Sequence, residues 1–141
     1  MNGMKRLAVV ALGGGMALAA SVGTAAAAGT QPFTPEQVCA TVGTGFQVVE
    51  SQPLGTAGEA RVYWLNNGTS NCVVTLKQGS YVGNSVKVSA SLTTGATTKV
   101  DGPSAFKYYA GPVTQANPSG ECVVYGGTYG SYKFTSQPAC G

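Results

Sequence analysis

Apolar and polar residues alternate along much of the chain beyond residue 45, in short runs separated by turn-forming residues. The clearest run is Ser85–Leu92, in which Val86, Val88, Ala90 and Leu92 fall on one face and polar side chains fall on the other. Alternation with a period of two is typical of a β-strand with one buried face. We therefore predict a half-buried strand at this position.

Six further runs are rich in β-branched or aromatic residues and have the length of short strands. They are Phe46–Val49, Ala60–Leu65, Cys72–Leu76, Phe106–Ala110, Cys122–Tyr125 and Tyr132–Phe134. Asn67-Gly68 lies between the second and third of these runs, and Asn-Gly between apolar runs is a strong signal for a β-hairpin. About seven short antiparallel strands at this spacing predict an all-β domain, either a small sandwich or a barrel.

Glycine and proline mark where we expect strands to end or bend. Gly111-Pro112 is expected to end the run that begins at Phe106, and Gly126-Gly127 is expected to form a bulge or a tight corner. Thr93–Pro103 is polar and contains the turn sequence Asp101-Gly102-Pro103, so it is predicted to be a connection between strands.

The chain beyond the first 28 residues is predicted to be one domain preceded by a short arm. Residues 29–44 contain Pro32 and Pro35 and are interpreted as the N-terminal arm, and residues 45–141 as a single all-β domain. Thr34 and Pro35 are the residue types that begin a helix, an N-cap followed by proline in the first position. One helical turn is therefore expected there.

Residues 1–28 have the layout of a secretory signal peptide. Lys5 and Arg6 precede an uncharged stretch, Leu7–Ala20, and a run of small residues ends at Ala28. The apolar stretch is shorter than the roughly 20 residues of a membrane-spanning helix and is interrupted by glycines. We expect cleavage after Ala28 and a secreted, extracellular chain without a membrane span.

The four cysteines, Cys39, Cys72, Cys122 and Cys140, all lie beyond this segment. An even number of cysteines in a small exported chain predicts two disulfides. Three pairings are open to four cysteines, and the predicted strands favour Cys39–Cys72 and Cys122–Cys140, since each pair would lie at one end of neighbouring strands. No metal site is expected, because the chain has no C-x-x-C spacing and no histidine.

Composition narrows the classes of function. The chain has 141 residues, of which 8 are basic, 5 are acidic and none is histidine. Without imidazole, a Ser-His-Asp triad is excluded. The net charge of +3, which falls when Lys5 and Arg6 are removed, is too small and too scattered for a nucleic-acid-binding surface. No cofactor motif is present, and the acidic residues fall beside predicted turns, so we expect no cofactor and no enzymatic activity.

Two pairs of adjacent aromatic residues are candidates for a binding surface. Neighbours on a strand point to opposite faces, so one member of Tyr63-Trp64 and one member of Tyr108-Tyr109 is expected to face outward. Trp64 and Tyr109 are the candidate surface-binding aromatics, because an exposed ring stacks on a sugar or on a protein partner. The alternative is that these rings fill the core or pair across strands.

Seven blocks, spread over nearly the whole chain beyond residue 28, share their residues with one protein family. They are Cys39, Gly45–Val48, Tyr63–Leu65, Asn71–Thr75, Tyr108–Val113, Glu121–Gly127 and Cys140. These blocks resemble the spore-associated protein A family, small exported proteins of filamentous, spore-forming actinobacteria. The resemblance implies a protein found with spores or aerial growth, whose partner is the spore or cell-envelope surface. It brings no established enzymatic activity and no catalytic residues.

We therefore expect a secreted, non-enzymatic protein associated with the spore or cell surface. The alternative is a secreted binding module, either a protease inhibitor that presents a loop at Asn66–Asn71 or Thr93–Ser104, or a carbohydrate-binding domain that uses Trp64 or Tyr109. A small hydrolase is the third hypothesis, and it would need two carboxylates close together. The sequence leaves the oligomeric state open.

Overall fold

The computed structural model describes residues 30–117 and 121–140. In this part of the chain two antiparallel β-sheets enclose a common core. The predicted signal peptide, residues 1–28, lies outside the described residues. One short helix, α1 (Pro35–Cys39), precedes the strands, and a 3₁₀ turn spans Gly79–Tyr81.

Nine strands lie within the described residues. They are β1 (Gln47–Leu54), β2 (Ala60–Asn66), β3 (Ser70–Lys77), β4 (Val88–Thr94), β5 (Thr97–Ser104), β6 (Tyr109–Ala116), β7 (Cys122–Tyr129), β8 (Tyr132–Thr135) and β9 (Ala139–Cys140). Sheet A has the strand order β1-β2-β3-β6, and sheet B has the order β8-β7-β4-β5 with β9 paired to β7. The all-β sandwich predicted from the sequence is confirmed.

The core between the sheets is formed by the apolar positions of the alternating runs. Val88, Ala90 and Leu92 of β4 are completely buried, and they belong to one cluster with Val62 of sheet A. The period-two pattern therefore predicts this face of β4 correctly. Val86, which the same pattern assigns to the buried face, precedes the strand and is 36% exposed.

Sheet A has a second buried face, which helix α1 covers. Val38 and Cys39 of the helix pack with Leu65, Val74 and Leu76 of the sheet. The central strand β3 is consequently buried on both faces along nearly its whole length.

The sequence around Thr34 explains why this helix forms. The Thr34 Oγ1 accepts a hydrogen bond from the backbone N–H of Gln37, and the Gln37 Oε1 accepts one from the backbone N–H of Thr34. This reciprocal capping box satisfies two backbone donors that the helix leaves unpaired, and Pro35 follows in the first helical turn. The predicted helical turn is confirmed, and the segment interpreted as an arm carries the helix that covers sheet A.

The prediction that Thr93–Pro103 is a polar connection is wrong. Thr97–Ser104 is strand β5, which pairs with β4 in a hairpin whose turn residues are Gly95 and Ala96. Gly95 has φ +59°, a conformation that such short hairpin turns require. The strand escaped prediction because β5 is an edge strand with mostly exposed side chains, so its sequence lacks the apolar alternation of a half-buried strand.

Gly111-Pro112 does not end its strand. β6 continues to Ala116 and pairs with β3 on both sides of these residues, across a register shift opposite Val73–Thr75. An edge strand tolerates proline, since one of its sides has no partner strand. A Cβ at Gly111 would lie 2.6 Å from the carbonyl oxygen of Val73, which explains why glycine precedes the proline.

Gly126-Gly127 forms neither a bulge nor a corner. Both residues lie in regular ladders of β7, with β4 on one side and β8 on the other. A Cβ on Gly127 would lie 2.9 Å from the carbonyl oxygen of Ser89 and would also meet the Thr75 hydroxyl of sheet A. The absent side chain therefore allows the two sheets to approach closely at this point.

Candidate binding clefts

The cysteines are joined as Cys39–Cys72 and Cys122–Cys140, the pairings favoured from the sequence. Cys122 and Cys140 face each other on β7 and β9, at one end of neighbouring strands. The reason given for the other pair is wrong, because Cys39 ends helix α1 and reaches Cys72 from outside sheet A. One bridge thus fixes the helix to sheet A, and the other fixes the C-terminal segment to sheet B.

Tyr63 and Trp64 pack against opposite faces of sheet A, and both faces are covered there. Tyr63 packs against the cluster under helix α1, and Trp64 packs against the core between the sheets. Tyr108 precedes β6, so strand alternation does not apply to Tyr108 and Tyr109. In the second pair Tyr108 is the outward ring, 44% exposed, whereas Tyr109 packs against the cluster under the helix. Trp64 and Tyr109 are therefore half-buried, and each lines a cleft at an edge of the sandwich.

The first cleft has a volume of about 400 Å³ and is named here the Trp64 cleft. Its lining residues come from β1, β2, β8, the segment between β8 and β9, and β9 itself: Glu50, Gln52, Trp64, Phe134, Thr135, Ser136, Gln137, Pro138 and Ala139. In the β1–β2 ladder Glu50 pairs with Trp64, and Gln52 pairs with Val62. The side chains of Glu50 and Gln52 consequently point to the same face as Trp64.

Trp64 is held in one orientation by its neighbours. Its ring centroid lies 5.8 Å from that of Tyr125, with 32° between the ring planes. Its Nε1 donates a hydrogen bond to the Oδ1 of Asn71 at 2.9 Å. Asn71 is itself completely buried and is bonded to the side chains of Asn66 and Asn117. The tryptophan therefore forms a fixed aromatic wall of the cleft.

Tyr125 carries a buried hydroxyl group behind this wall. The residue is 1% exposed, and its hydroxyl has no hydrogen-bond partner among the described residues. Its ring also contacts that of Phe134, with 5.4 Å between the centroids. Burial raises the pKa of the Tyr125 phenol, and the nearby Glu50 carboxylate raises it further, so the group is protonated at neutral pH.

Residues 135–139 form the opposite wall, and hydrogen bonds and a disulfide hold them. The backbone N–H of Tyr125 donates to the Ser136 Oγ at 3.0 Å, and the backbone N–H of Ser136 donates to the carbonyl oxygen of Tyr125 at 2.9 Å. The wall ends at Cys140, which is bonded to Cys122. The shape of the Trp64 cleft thus depends on this disulfide.

The second cleft, named here the Tyr109 cleft, has a volume of about 440 Å³. It is lined by Phe33, Asp101, Phe106, Lys107, Tyr108, Tyr109 and Gly111. The Phe33 ring contacts the rings of Tyr108 and Tyr109 edge to face, with centroids 5.9 and 5.2 Å apart. Gln31 anchors this part of the chain, because its Nε2 donates to the carbonyl oxygens of Lys77 and Tyr108.

Each cleft contains one carboxylate among its described lining residues, Glu50 in the first and Asp101 in the second. The Asp101 Oδ2 accepts a hydrogen bond from the backbone N–H of Gly111 at 2.8 Å. Within residues 30–117 and 121–140, no three His, Cys, Asp or Glu side chains are close enough together to hold a metal ion. The same part of the chain contains no helix that is long and apolar enough to cross a membrane.

Neither segment considered as an inhibitor loop is an open loop. Thr93–Ser104 forms the β4–β5 hairpin. The turn between Asn66 and Asn71 is closed by the Oδ1 of Asn67, which accepts hydrogen bonds from the backbone N–H groups of Thr69 and Ser70. Both segments are therefore compact, hydrogen-bonded hairpins.

Sequence reasoning missed Phe33 and Phe134 as lining residues of these clefts, and the buried Tyr125 hydroxyl behind the first one. Phe33 belongs to the segment interpreted as an arm, and Phe134 belongs to the predicted strand Tyr132–Phe134. Each reaches its cleft through contacts between segments that are distant in the sequence. No local pattern marks such positions.

The fold defines a small, disulfide-bonded β-sandwich with aromatic clefts at its edges. No family model matches the chain, and no solved structure matches it. The chain is 31% identical over 125 residues to spore-associated protein A of Streptomyces coelicolor, an alignment that covers 88% of this chain and 77% of that protein. The chain therefore belongs to the spore-associated protein A family.

Proposed function

We propose that the protein is a secreted, non-enzymatic protein that associates with the spore or cell-envelope surface. The observation that carries the proposal is the chemistry of the two clefts, which present aromatic rings and a single carboxylate each. Hydrolysis of a glycosidic bond needs two carboxylates roughly 5–9.5 Å apart. Aromatic rings with a few polar groups are instead suited to holding a ligand. The name of the Streptomyces coelicolor relative supports a surface location.

Low charge favours attachment through apolar and aromatic contacts. Only 13 of the 141 residues are charged, so electrostatic attraction to a surface is weak. Phe33 and Tyr108 are 38% and 44% exposed at the rim of the Tyr109 cleft. Covering these rings removes apolar area from water, a contribution that salt does not screen. Attachment should therefore resist high salt and yield to detergent.

The experiment is to measure where the full-length protein resides in a sporulating producer. Washed spores and culture fluid are quantified after a high-salt wash and after a detergent wash. We expect enrichment on spores that survives salt, and a severalfold lower retained fraction for the Phe33→Ser/Tyr108→Ser variant. Val42→Ser is the matched control, because Val42 is 45% exposed and lies outside both clefts. A protein found almost wholly in the fluid would contradict the proposal.

The second candidate function is a secreted binding module, and the Trp64 cleft favours its carbohydrate-binding form. The cleft combines a fixed tryptophan ring with carboxylate and amide side chains. The inhibitor form has less support, since the segments considered for it are closed hairpins. The two candidates are compatible, because an envelope surface is rich in glycans.

A further inference from the structure

We propose that the Trp64 cleft binds a hexose unit of a neutral or N-acetylated glycan. The proposal rests on the proposed function, since it names the chemistry by which the protein would recognise a spore or envelope surface. Three observations carry it: the oriented aromatic ring of the cleft, cleft side chains that make no hydrogen bonds within the described part of the fold, and a buried hydroxyl group without a partner behind the cleft.

The aromatic ring is ready for stacking. Trp64 is half-buried and lines the cleft, so part of its surface stays accessible. Tyr125 packs against the ring, and Asn71 accepts the hydrogen bond of its Nε1. A ring that is fixed before binding loses little side-chain freedom when a ligand covers it, and this favours affinity. The C–H face of a hexose is an apolar surface of matching size.

The polar side chains of the cleft are free to bind hydroxyl groups. Gln52 and Gln137 make no side-chain hydrogen bond within the described part of the chain, and both line the cleft beside Glu50. A glutamine amide both donates and accepts, and a carboxylate accepts. Together these groups match the donors and acceptors that neighbouring ring hydroxyls or an N-acetyl group present. The fold itself does not require them.

The Tyr125 hydroxyl is an independent indication of a ligand. Buried polar groups are nearly always hydrogen-bonded, and an unpartnered one destabilises the fold. This hydroxyl is buried, has no hydrogen-bond partner among the described residues, and lies near Glu50, which lines the cleft, although Tyr125 itself is not a lining residue. A ligand hydroxyl bound at Glu50 would be within the same small region. A role in binding would explain why the protein keeps a Tyr125 hydroxyl that destabilises the fold.

The negative charge of the cleft favours binding of neutral glycans over acidic ones. Glu50 is the one charged side chain among the described residues that line the cleft. Arg61 lies on β2 next to the core residue Val62, and its side chain therefore points to the other face of sheet A. Its Nε is bonded there to the Oγ of Ser51 at 3.1 Å. An acidic sugar would be repelled by Glu50, whereas a neutral or N-acetylated ring fits.

Tryptophan fluorescence tests the proposal directly. Trp64 is the single tryptophan of the chain, so its emission reports on this cleft alone. The secreted protein is titrated with hexamers of N-acetylglucosamine and of β-linked glucose, and with oligogalacturonate as the acidic counterpart. We expect a saturable change with a neutral hexamer. The Gln52→Ala/Gln137→Ala variant should bind at least about fivefold more weakly, the effect of losing one hydrogen bond, and Gln47→Ala, an exposed glutamine of β1 outside the cleft, should bind normally.

Tyr125→Phe separates a binding role from a structural role. Removing an unpartnered buried hydroxyl should leave the free energy of unfolding unchanged or raise it. Affinity for the neutral hexamer should nevertheless fall about fivefold. A hydroxyl that serves only the fold would give the opposite result, lower stability with unchanged affinity, and that result would overturn its assignment to the site.

Three results of the titration would contradict the glycan-binding proposal. Absence of a saturable signal with both neutral hexamers, tighter binding of oligogalacturonate, or equal loss in the Gln47→Ala control would overturn the glycan site. The localisation experiment fails or succeeds separately. If the protein is bound to spores but binds none of the glycans, the proposed surface association holds and the proposed glycan site is wrong. If the protein is found in the culture fluid but binds a neutral hexamer, the glycan site holds and the spore association is wrong.

Discussion

Cys39, the last residue of helix α1, is bonded to Cys72 of the central strand β3, with 6.2 Å between their Cα atoms, and both residues are completely buried. The bridge lies inside the apolar cluster that the helix forms with sheet A. A five-residue helix is too short to be stable by itself. The disulfide and the packing around it therefore keep the outer face of sheet A covered.

Removing this bridge should destabilise the protein more than removing the other one. We expect the Cys39→Ala/Cys72→Ala variant to lose about 2–5 kcal/mol of unfolding free energy in urea denaturation. The Cys122→Ala/Cys140→Ala variant is the control. It should lose less, because Cys140 is exposed and its bridge spans 18 residues instead of 33. A larger loss in the control would contradict this ranking of the two bridges.

The N-cap of helix α1 provides a milder test of the same contact. Thr34→Ala removes the hydroxyl that accepts the Gln37 N–H hydrogen bond. Loss of such a cap costs about 0.5–2 kcal/mol, and we expect a loss in that range in urea denaturation. Thr97→Ala, at an exposed position of β5, should change the free energy of unfolding much less. Equal effects in both variants would mean that the cap is not formed in solution.

The sequence predicts half-buried strands well and edge strands poorly. The alternation of Val88, Ala90 and Leu92 predicts β4, because one face of that strand lies in the core. Thr97–Ser104 lies at the edge of sheet B with most side chains in solvent, so nothing in its pattern distinguishes a strand from a polar loop. The prediction that Gly111-Pro112 ends its strand is wrong for a related reason, because an edge strand tolerates residues that a central strand would not.

Gly127 illustrates a requirement that no local pattern contains. Its backbone faces Thr75 of the opposite sheet, and a Cβ would lie 2.9 Å from the Ser89 carbonyl oxygen. We expect Gly127→Ala to cost about 1–3 kcal/mol in urea denaturation, because the surrounding backbone must shift to admit the methyl group. Gly58→Ala is the comparison: a Cβ there meets no atom within 4 Å, but the residue has φ +66°, so only the cost of a left-handed backbone conformation applies, about 1–2 kcal/mol. A smaller loss at Gly127 than at Gly58 would contradict the close approach of the sheets.

The sequence offers two of the cleft-lining residues as candidates, but not the clefts themselves. Trp64 and Tyr109 are candidates because two adjacent aromatics on a strand cannot both be buried in a sheet with one covered face. Helix α1 covers the second face of sheet A, so both rings line clefts but are half-buried instead of facing outward. Phe134 and Gln137 could not be assigned, since they meet Trp64 only through the pairing of β7 with β8 and β9.

Lys77 is a buried cation without an acidic partner among the described residues. It is completely buried, and its Nζ donates to the Asn84 backbone oxygen at 2.8 Å and to the Asn84 Oδ1 at 2.9 Å. The Nζ also lies 5.9 Å from the centroid of the Tyr129 ring. Burial lowers the pKa of this ammonium group, and the positive charge of Lys107 lowers it further.

This lowered pKa makes stability depend on pH. The unfolded chain keeps the proton of Lys77 up to about the ordinary lysine value of 10.5, whereas the folded protein releases it earlier. In the interval between, the unfolded state binds more protons, so raising the pH favours folding. We expect the free energy of unfolding of the wild-type protein, relative to that of Lys77→Met, to rise as the pH increases from 7 towards 10.

Tyr63 and Tyr125 have raised pKa values and change the free energy of unfolding in the opposite direction above pH 10. Both tyrosines are present in each protein, so their effects cancel in the difference. Urea denaturation of the two proteins at a series of pH values measures this difference. A flat curve would mean that Lys77 is as well solvated in the folded protein as in the unfolded chain, and a falling curve would mean that folding raises its pKa.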